Sequence, residues 1–357
     1  MASVAESIAA PEALLEENRD AIHMTSGFTF TEEITPSLST TAELVSISFN
    51  QTSRFQKVQI IETVPFGKTL VLDGKTQSAQ VDEYVYHECL VQPAMLAVGW
   101  ALGSACDHAK PKRAYIGGGG ELATARELLK HASIEEVVMV DIDEVAVDIC
   151  REQLPEWGKG AADDPRLKLF YTDAYAWLDR DDETTGTFDI IVMDIADPIE
   201  AGPGIALYTT EFYELAKRKL RPGGVLVTQS GPGGLITHTE CLTAIHNTLR
   251  SNFEHVLPFI AEIPSFGCPW AWNLAFDATG TEGSALSAAE AKNAGLSFLE
   301  QTSQAVDARL AKCLPAEALK FYDGVAHRGV FGIGKPIRQA IANDDRIIKK
   351  SAPIFMY

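Results

Sequence analysis

The stretch Arg113–Asp143, RAYIGGGGELATARELLKHASIEEVVMVDID, decides the fold class of this chain. Ala114–Ile116 is a short apolar run that enters four glycines, Gly117–Gly120, closed by Glu121. ELATARELLKHA follows with apolar residues at helical spacing, and VVMVD is a second short apolar run ending in an acid. Strand, glycine turn, helix and strand make a βαβ unit, and apolar runs without alternation are those of a parallel sheet covered on both faces.

Outward toward the C-terminus the pattern repeats: EVAVDICREQL, LKLFY, FDIIVMD, GVLVTQ, the helix HTECLTAIHNTLRSNF, then HVLPFIAEI and WAWNLAFDA. This predicts an α/β, doubly wound domain with a sheet of seven strands, the last ones antiparallel. Outward toward the N-terminus, EYVYHECLVQPAMLAVGWAL has helical spacing interrupted by Pro93, which predicts a bent helix or two helices. Before it, LVSISF, FQKVQIIETV, KTLVLD and TQSAQ are broken by the turns Pro65-Phe66-Gly67 and Asp73-Gly74, the pattern of a small antiparallel β domain. The expected division is a mobile leader over 1–36 with a short helix at Pro11–Arg19, a β domain and connecting helix over 37–100, and the large domain over 101–357. A polar insertion is expected near 279–297, and a helix begun by proline at Ile337.

Of the 357 residues, 46% are hydrophobic and 22% charged, and no apolar run nears the roughly 18 residues needed to span a bilayer. Neither a secretory nor an organellar signature opens the chain, so a cytoplasmic address is expected. Six cysteines without a C-x-x-C pair suggest reduced thiols. A net charge of −19 weighs against nucleic acid as a partner and is compatible with a cationic ligand. Many acidic proteins are simply soluble, so only locally placed acids carry that argument.

The glycine loop lies at the first βα turn, where such sheets bind nucleotides. Gly118-x-Gly120-x-x-Ala123 matches a dinucleotide fingerprint, with Asp141 about 20 residues on to meet ribose hydroxyls. The same glycines could serve only a tight turn. Glu121 separates the ligand classes: beside a pyrophosphate it would be a like charge, whereas a sulfonium nucleoside would welcome it. Asp173, after LKLFY, either meets an adenine amino group or caps the next helix.

FDIIVMD ends in Asp194-Ile195-Ala196-Asp197-Pro198, two acids at the sheet edge that also holds the glycine loop. Acids so placed call for a positive neutraliser. An organic cation or a metal could supply it, and no histidine cluster or EF-hand spacing supports the metal. Gly202, Pro203 and Gly204 suggest a flap over a ligand. A primary amine arrives protonated and must lose a proton before it attacks carbon. Asp194 can take that proton, while Asp197 holds a second ammonium.

These segments resemble the polyamine synthase (spermidine/spermine synthase) family of aminopropyltransferases. The matching text runs from FQKVQI through PFGKTLVLDGKTQSAQVDEYVYHE, GGGGE, VVMVDID, YTDA, MDIADP, VTQSG and EIPSF to YDGVAHRGVF. Within the family, YHECL, Glu121, Asp141 in place of Glu, DIADP, TQSGPGG and PSF are most similar to the thermospermine synthases. The resemblance implies a Rossmann-like, methyltransferase-type sheet. It also implies transfer of the aminopropyl group of decarboxylated S-adenosylmethionine to spermidine, giving thermospermine and methylthioadenosine. The donor would be a co-substrate, with no cofactor or metal, and the chain a homodimer or homotetramer. Spermine or spermidine synthesis on the same scaffold is the alternative; a methyltransferase or a non-catalytic polyamine-binding paralogue is more remote.

Carried over by position, Gln56 and His87 would flank the aminopropyl arm and Glu121 bind its terminal ammonium. Asp141 would take the ribose, Asp173 and Ala174 the adenine, with Gly118 and Ile142 completing the donor site. Asp194 would be the base, Tyr86 a hydrogen-bond partner of the attacking amine or else a packed aromatic, and Asp197 the anchor. Gln229 and Phe266 would line the acceptor channel. Phe266 stands where spermidine synthases use tyrosine, and with Ile195-Ala196 in place of two serines it favours a longer acceptor. Leu122 departs from the family's glycine and leaves the loop's shape open. Which end of spermidine is attacked depends on its register in the channel and stays open.

Overall fold

Neighbouring residues of the central strands face opposite cores: Ala114, Ile116, Val137, Met139, Ile190 and Val192 join one, and Tyr115, Val138, Val140, Ile191 and Met193 the other. Both faces are therefore dry, which explains the unbroken apolar runs. The computed structural model describes residues 27–102, 110–180, 187–198, 204–279, 286–315 and 317–355. The expected leader helix at Pro11–Arg19 and the flap residues Gly202 and Pro203 lie outside these.

The small sheet is an antiparallel meander of β1 (Thr29–Thr35), β2 (Leu38–Thr52), β3 (Lys57–Thr63), β4 (Gly67–Leu72) and β5 (Lys75–Ala79). Its β4–β5 turn places Asp73 and Gly74 at φ of 49° and 83°, the left-handed pair that a two-residue hairpin requires. The expected leader ends too late: Thr29–Thr35 is already a strand, paired with β2 from Thr29↔Glu43 to Thr35↔Leu38. The threonines and glutamates of TFTEEIT masked it. Their alternation nevertheless buries Glu32 and Ile34 on one face.

One helix, α1 (Glu83–Ala97), continues through Pro93 and is followed by a 3₁₀ turn at Trp100–Leu102. All but Tyr84 of its residues are buried. Glu88, fully buried, accepts the backbone N–H groups of Lys320, Phe321 and Tyr322 at 2.8 Å each, which ties the C-terminal segment to this helix.

The large sheet contains β6 (Arg113–Gly118), β7 (Glu136–Asp141), β8 (Leu167–Tyr171), β9 (Phe188–Asp194), β10 (Leu220–Pro232), β11 (His255–Ile263) and β12 (Cys268–Phe276), in the order β11-β12-β10-β9-β6-β7-β8. The pairs among β8, β7, β6, β9 and β10 are parallel and β12 is antiparallel to both neighbours. Helices α2 (Ala123–Leu129), α3 (Glu144–Gln153), α4 (Ala174–Leu178), α5 (Thr210–Lys219) and α6 (Leu242–Arg250) make the connections. The carboxyl ends of β6, β7 and β9 therefore meet on one edge, where open α/β sheets bind ligands.

The expected polar insertion is partly helical where it is described. Residues 288–292 and 294–299 form two short helices, α7 and α8, with Ala291, Ala294 and Phe298 buried. Small residues pack inward there while Glu290 and Lys292 stay outside, so composition disguised a packed segment. A helix at Lys335–Asn343 follows, with a proline in its first turn. Among the described residues no helix is long and apolar enough to cross a membrane.

Candidate active site

The glycine run is required by close backbone approach. Gly118 and Gly119 have φ of 82° and 78°, and Gly119 N–H donates to the Asp194 carbonyl at 2.8 Å. A Cβ on Gly118 would sit 2.1 Å from that same carbonyl oxygen. The loop that carries Glu121 is thus pressed against the strand end that carries Asp194. Gly118→Ala combines left-handed strain with this clash, and a loss of about 2 kcal/mol or more is expected. Thermal unfolding of the variant should show the lowered midpoint.

Leu122 completes the turn in a left-handed conformation, φ 69°, where glycine would sit without strain. Its side chain is buried and packs where a Cβ on Gly158 would come within 2.9 Å of the Leu122 Cβ. Burial of the leucine offsets the backbone cost of this conformation.

The cleft at this edge is lined by Gly118, Glu121, Asp141, Ile142, Ala174 and Asp194, with Gln56, Tyr86 and Asp173 also on its walls. Burial pushes Asp141 up to about 6; the Asp143 N–H it accepts opposes this, while the charges of Asp143, Glu121 and Asp194 add to it. Asp173 accepts the Ala176 N–H at 2.7 Å as the cap of α4 and also faces the cleft. Gln56 crosses from the small domain and donates to Asp143 at 3.0 Å. Ser53 donates to the same carboxylate oxygen at 2.6 Å, so the β domain is fastened to the first turn of α3.

His87 stands behind the cleft rather than on its wall. Its Nε2 lies 3.1 Å from Glu121 Oε1, and its Nδ1 lies 2.6 Å from the Glu83 carbonyl and 3.1 Å from Glu83 Oε2. Burial would pull this ring down, but the hydrogen bonds and charges of Glu121 and Glu83 outweigh it and lift His87 to about 10. The imidazolium therefore aims Glu121. Glu83 is also bound by Arg126; burial pushes it up, yet His87 and Arg126 hold it at about 2.

Asp194 ends β9 with both oxygens engaged: Tyr86 O–H donates to Oδ1 at 2.9 Å and Thr124 Oγ1 to Oδ2 at 2.5 Å. Burial raises its pKa; the His87 charge opposes the rise and Glu121 adds to it. Tyr86 is both a donor and a packed ring, edge-on to His87 and Phe266.

Asp197 is pushed up to about 7 by burial, against the Gln229 hydrogen bond at 3.0 Å and the Lys75 charge. Gln229 does not line either cavity. It is saturated behind Asp197, donating also to the Ile195 carbonyl at 2.9 Å and to Tyr208, and accepting from Gly231 N–H and Trp270. Asp197 and Phe266 do line a second, smaller cavity with Glu32, Lys75 and Trp270.

Thr124 and Gln77, which also faces the cleft, were not singled out by sequence reasoning. A threonine in a helix and a glutamine in a polar strand carry no signal of their own; only the fold sets Thr124 beside Asp194. Among the described residues no group of three His, Cys, Asp or Glu side chains could hold a metal ion.

Comparison with known proteins adds five findings. A model described as the spermine/spermidine synthase domain matches residues 84–279, and one described as the spermidine synthase tetramerisation domain matches 28–80. The chain is 42% identical to thermospermine synthase ACAULIS5 of Arabidopsis thaliana over 75% of this chain and 74% of that one. It is 38% identical to a polyamine aminopropyltransferase of Aeropyrum pernix over 92% and 95%. In fold it is similar to a spermidine synthase solved with the transition state analogue AdoDATO, at a TM-score of 0.73 and 22% identity, covering 92% of this chain and 99% of that one. The matches span both domains and the glycine loop lies inside the first of them, so the chain belongs to the spermine/spermidine synthase family and is a polyamine aminopropyltransferase.

Proposed function

We propose that this enzyme moves the aminopropyl group of decarboxylated S-adenosylmethionine to spermidine, giving thermospermine and methylthioadenosine. The observation that carries this reading is Asp194: a half-buried carboxylate with raised pKa on the wall of the glycine-loop cleft, fixed by Tyr86 and Thr124 and followed three residues on by Asp197, which lines the second cavity with Phe266. The 42% identity to a thermospermine synthase supports the product. Apolar Phe266, on the wall of the second cavity, supports an acceptor with long methylene segments.

In the reaction, Asp141 takes the ribose, Asp173 and Ala174 the adenine, and Glu121 the terminal ammonium of the aminopropyl arm. Asp194 removes a proton from the attacking ammonium. The freed nitrogen lone pair forms the C–N bond at the methylene beside sulfur, and the C–S bond breaks with its electron pair going to sulfur. The leaving thioether is neutral, so neither an acid nor a cofactor is needed. Positioning between two fixed sites supplies most of the acceleration. His87 and Gln229 act behind Glu121 and Asp197 as positioning residues. Homo-oligomer assembly through the β domain accords with the tetramerisation model it matches.

A pH dependence follows. The acceptor stays cationic below its amine pKa of about 10.4. Asp197, lifted to about 7, gains a proton as pH falls below neutrality and loses its attraction for an ammonium. The acceptor KM is therefore expected to rise below about pH 7, by up to about tenfold per pH unit, whereas Asp141, at about 6, delays the rise in donor KM to lower pH. Initial rates against each substrate from pH 5 to 8 check this.

Acceptor identity is tested by supplying decarboxylated donor with putrescine or spermidine and comparing kcat/KM. A clear preference for spermidine is expected, and a clear preference for putrescine would overturn the reading.

A further inference from the structure

The geometry points to Glu32, on the first strand of the small domain, as a specificity-determining residue that holds the far ammonium of a triamine beyond Asp197. This rests on the acceptor class proposed above.

Glu32 lies on β1, is 7% exposed, and lines the same cavity as Asp197. Its Oε2 accepts the Thr76 N–H at 3.1 Å, which fixes the carboxylate on the cavity wall. The remaining walls are Ile34, Pro232, Phe266, Cys268 and Trp270, an apolar sleeve suited to methylene groups. Cation and anion are out of balance here. Lys75, whose ammonium is tied to the Glu33 carbonyl, is the one cation among the lining residues, while Asp197 feels the negative charges of both Glu32 and Glu240. Glu240 keeps a buried oxygen, Oε2, with no hydrogen-bond partner among the described residues. Two lining carboxylates, Glu32 buried and Asp197 half-buried, with Glu240 outside the lining adding its charge, are costly unless a further positive group joins them.

The carboxylates fall in a series: Asp194 on the donor cleft, Asp197 at the second cavity, and Glu32 across that cavity on the other domain. A triamine carries three nitrogens joined by methylene segments, so the series accounts for each of them. A diamine attacked at Asp194 has one nitrogen left and does not need Glu32. The small domain thereby reads acceptor length, a task distinct from assembly.

The test is Glu32→Gln in the full-length enzyme, since the amide oxygen can still accept the Thr76 N–H. With saturating decarboxylated donor, KM for spermidine is expected to rise about tenfold or more, the loss of one charge-assisted contact, with kcat within about twofold. KM for putrescine, or its inhibition constant against spermidine if turnover is too slow, should stay within about twofold. Glu32→Asp should restore part of the loss, and calorimetric binding of methylthioadenosine should match wild type in both variants. An unchanged spermidine KM in an enzyme that uses spermidine would overturn the assignment and leave the acceptor reading intact. Equal losses for both amines, or loss of methylthioadenosine binding, would make Glu32 structural and also overturn it. A wild type that prefers putrescine would remove both.

Discussion

Asp194→Asn is expected to lower kcat by about 10²- to 10⁴-fold, the range a positioned general base contributes, while methylthioadenosine binds as before. The substitution is close to isosteric. The amide oxygen can still accept a hydrogen bond from Tyr86 or Thr124, so the strand end and its contact with Gly118 should persist. What disappears is the proton acceptor. Asp194 is suited to that task because burial raises its pKa toward that of the ammonium it must deprotonate, yet the nearby His87 charge keeps the carboxylate accessible. Rapid-quench measurement of methylthioadenosine formation separates chemistry from binding. A variant that turned over at the wild-type rate would remove Asp194 as base.

Glu121→Gln has the second-largest expected effect, on donor binding. The Glu121 side chain is 11% exposed and aimed by His87 from behind, so its charge acts with little solvent screening. Loss of that charge should weaken the decarboxylated donor about 10- to 100-fold. Ordinary S-adenosylmethionine, whose carboxylate would meet Glu121 as a like charge, should lose less or gain. The ratio of the two affinities, read by calorimetry on wild type and variant, is the quantity that moves. An unchanged ratio would show that donor discrimination lies elsewhere. The amide can still meet His87, so the fold around Glu83 and Arg126 should be preserved.

Much of this geometry was legible before any coordinates. The unbroken apolar runs announced a sheet covered on both faces, and the Asp73-Gly74 turn announced its hairpin. The acids Asp141, Asp173 and Asp194 are placeable because each ends a strand or caps a helix on one sheet edge, and Glu121 because it lies in the βα turn between β6 and α2. That position follows from βα alternation alone. Residues that act through another residue were harder to place. His87 and Gln229 were expected on the cavity walls, yet both stand behind an acid, since sequence shows adjacency in the chain and not depth in the fold. Thr124 reaches Asp194 only because β6 and β9 are neighbours. In the sequence β1 reads as leader because its threonines and glutamates resemble a solvated segment. That misreading concealed Glu32, whose burial depends on which face of the strand meets the large domain. The same reasoning failed at 288–299, where alanines pack against a core that composition cannot reveal.

Chromatographic resolution of the tetraamine isomers tests most directly the proposal that this active site builds thermospermine on a spermidine acceptor. With decarboxylated S-adenosylmethionine and spermidine as the only substrates, thermospermine should form in step with methylthioadenosine. Spermine as the main tetraamine, or no tetraamine at all, would contradict the account.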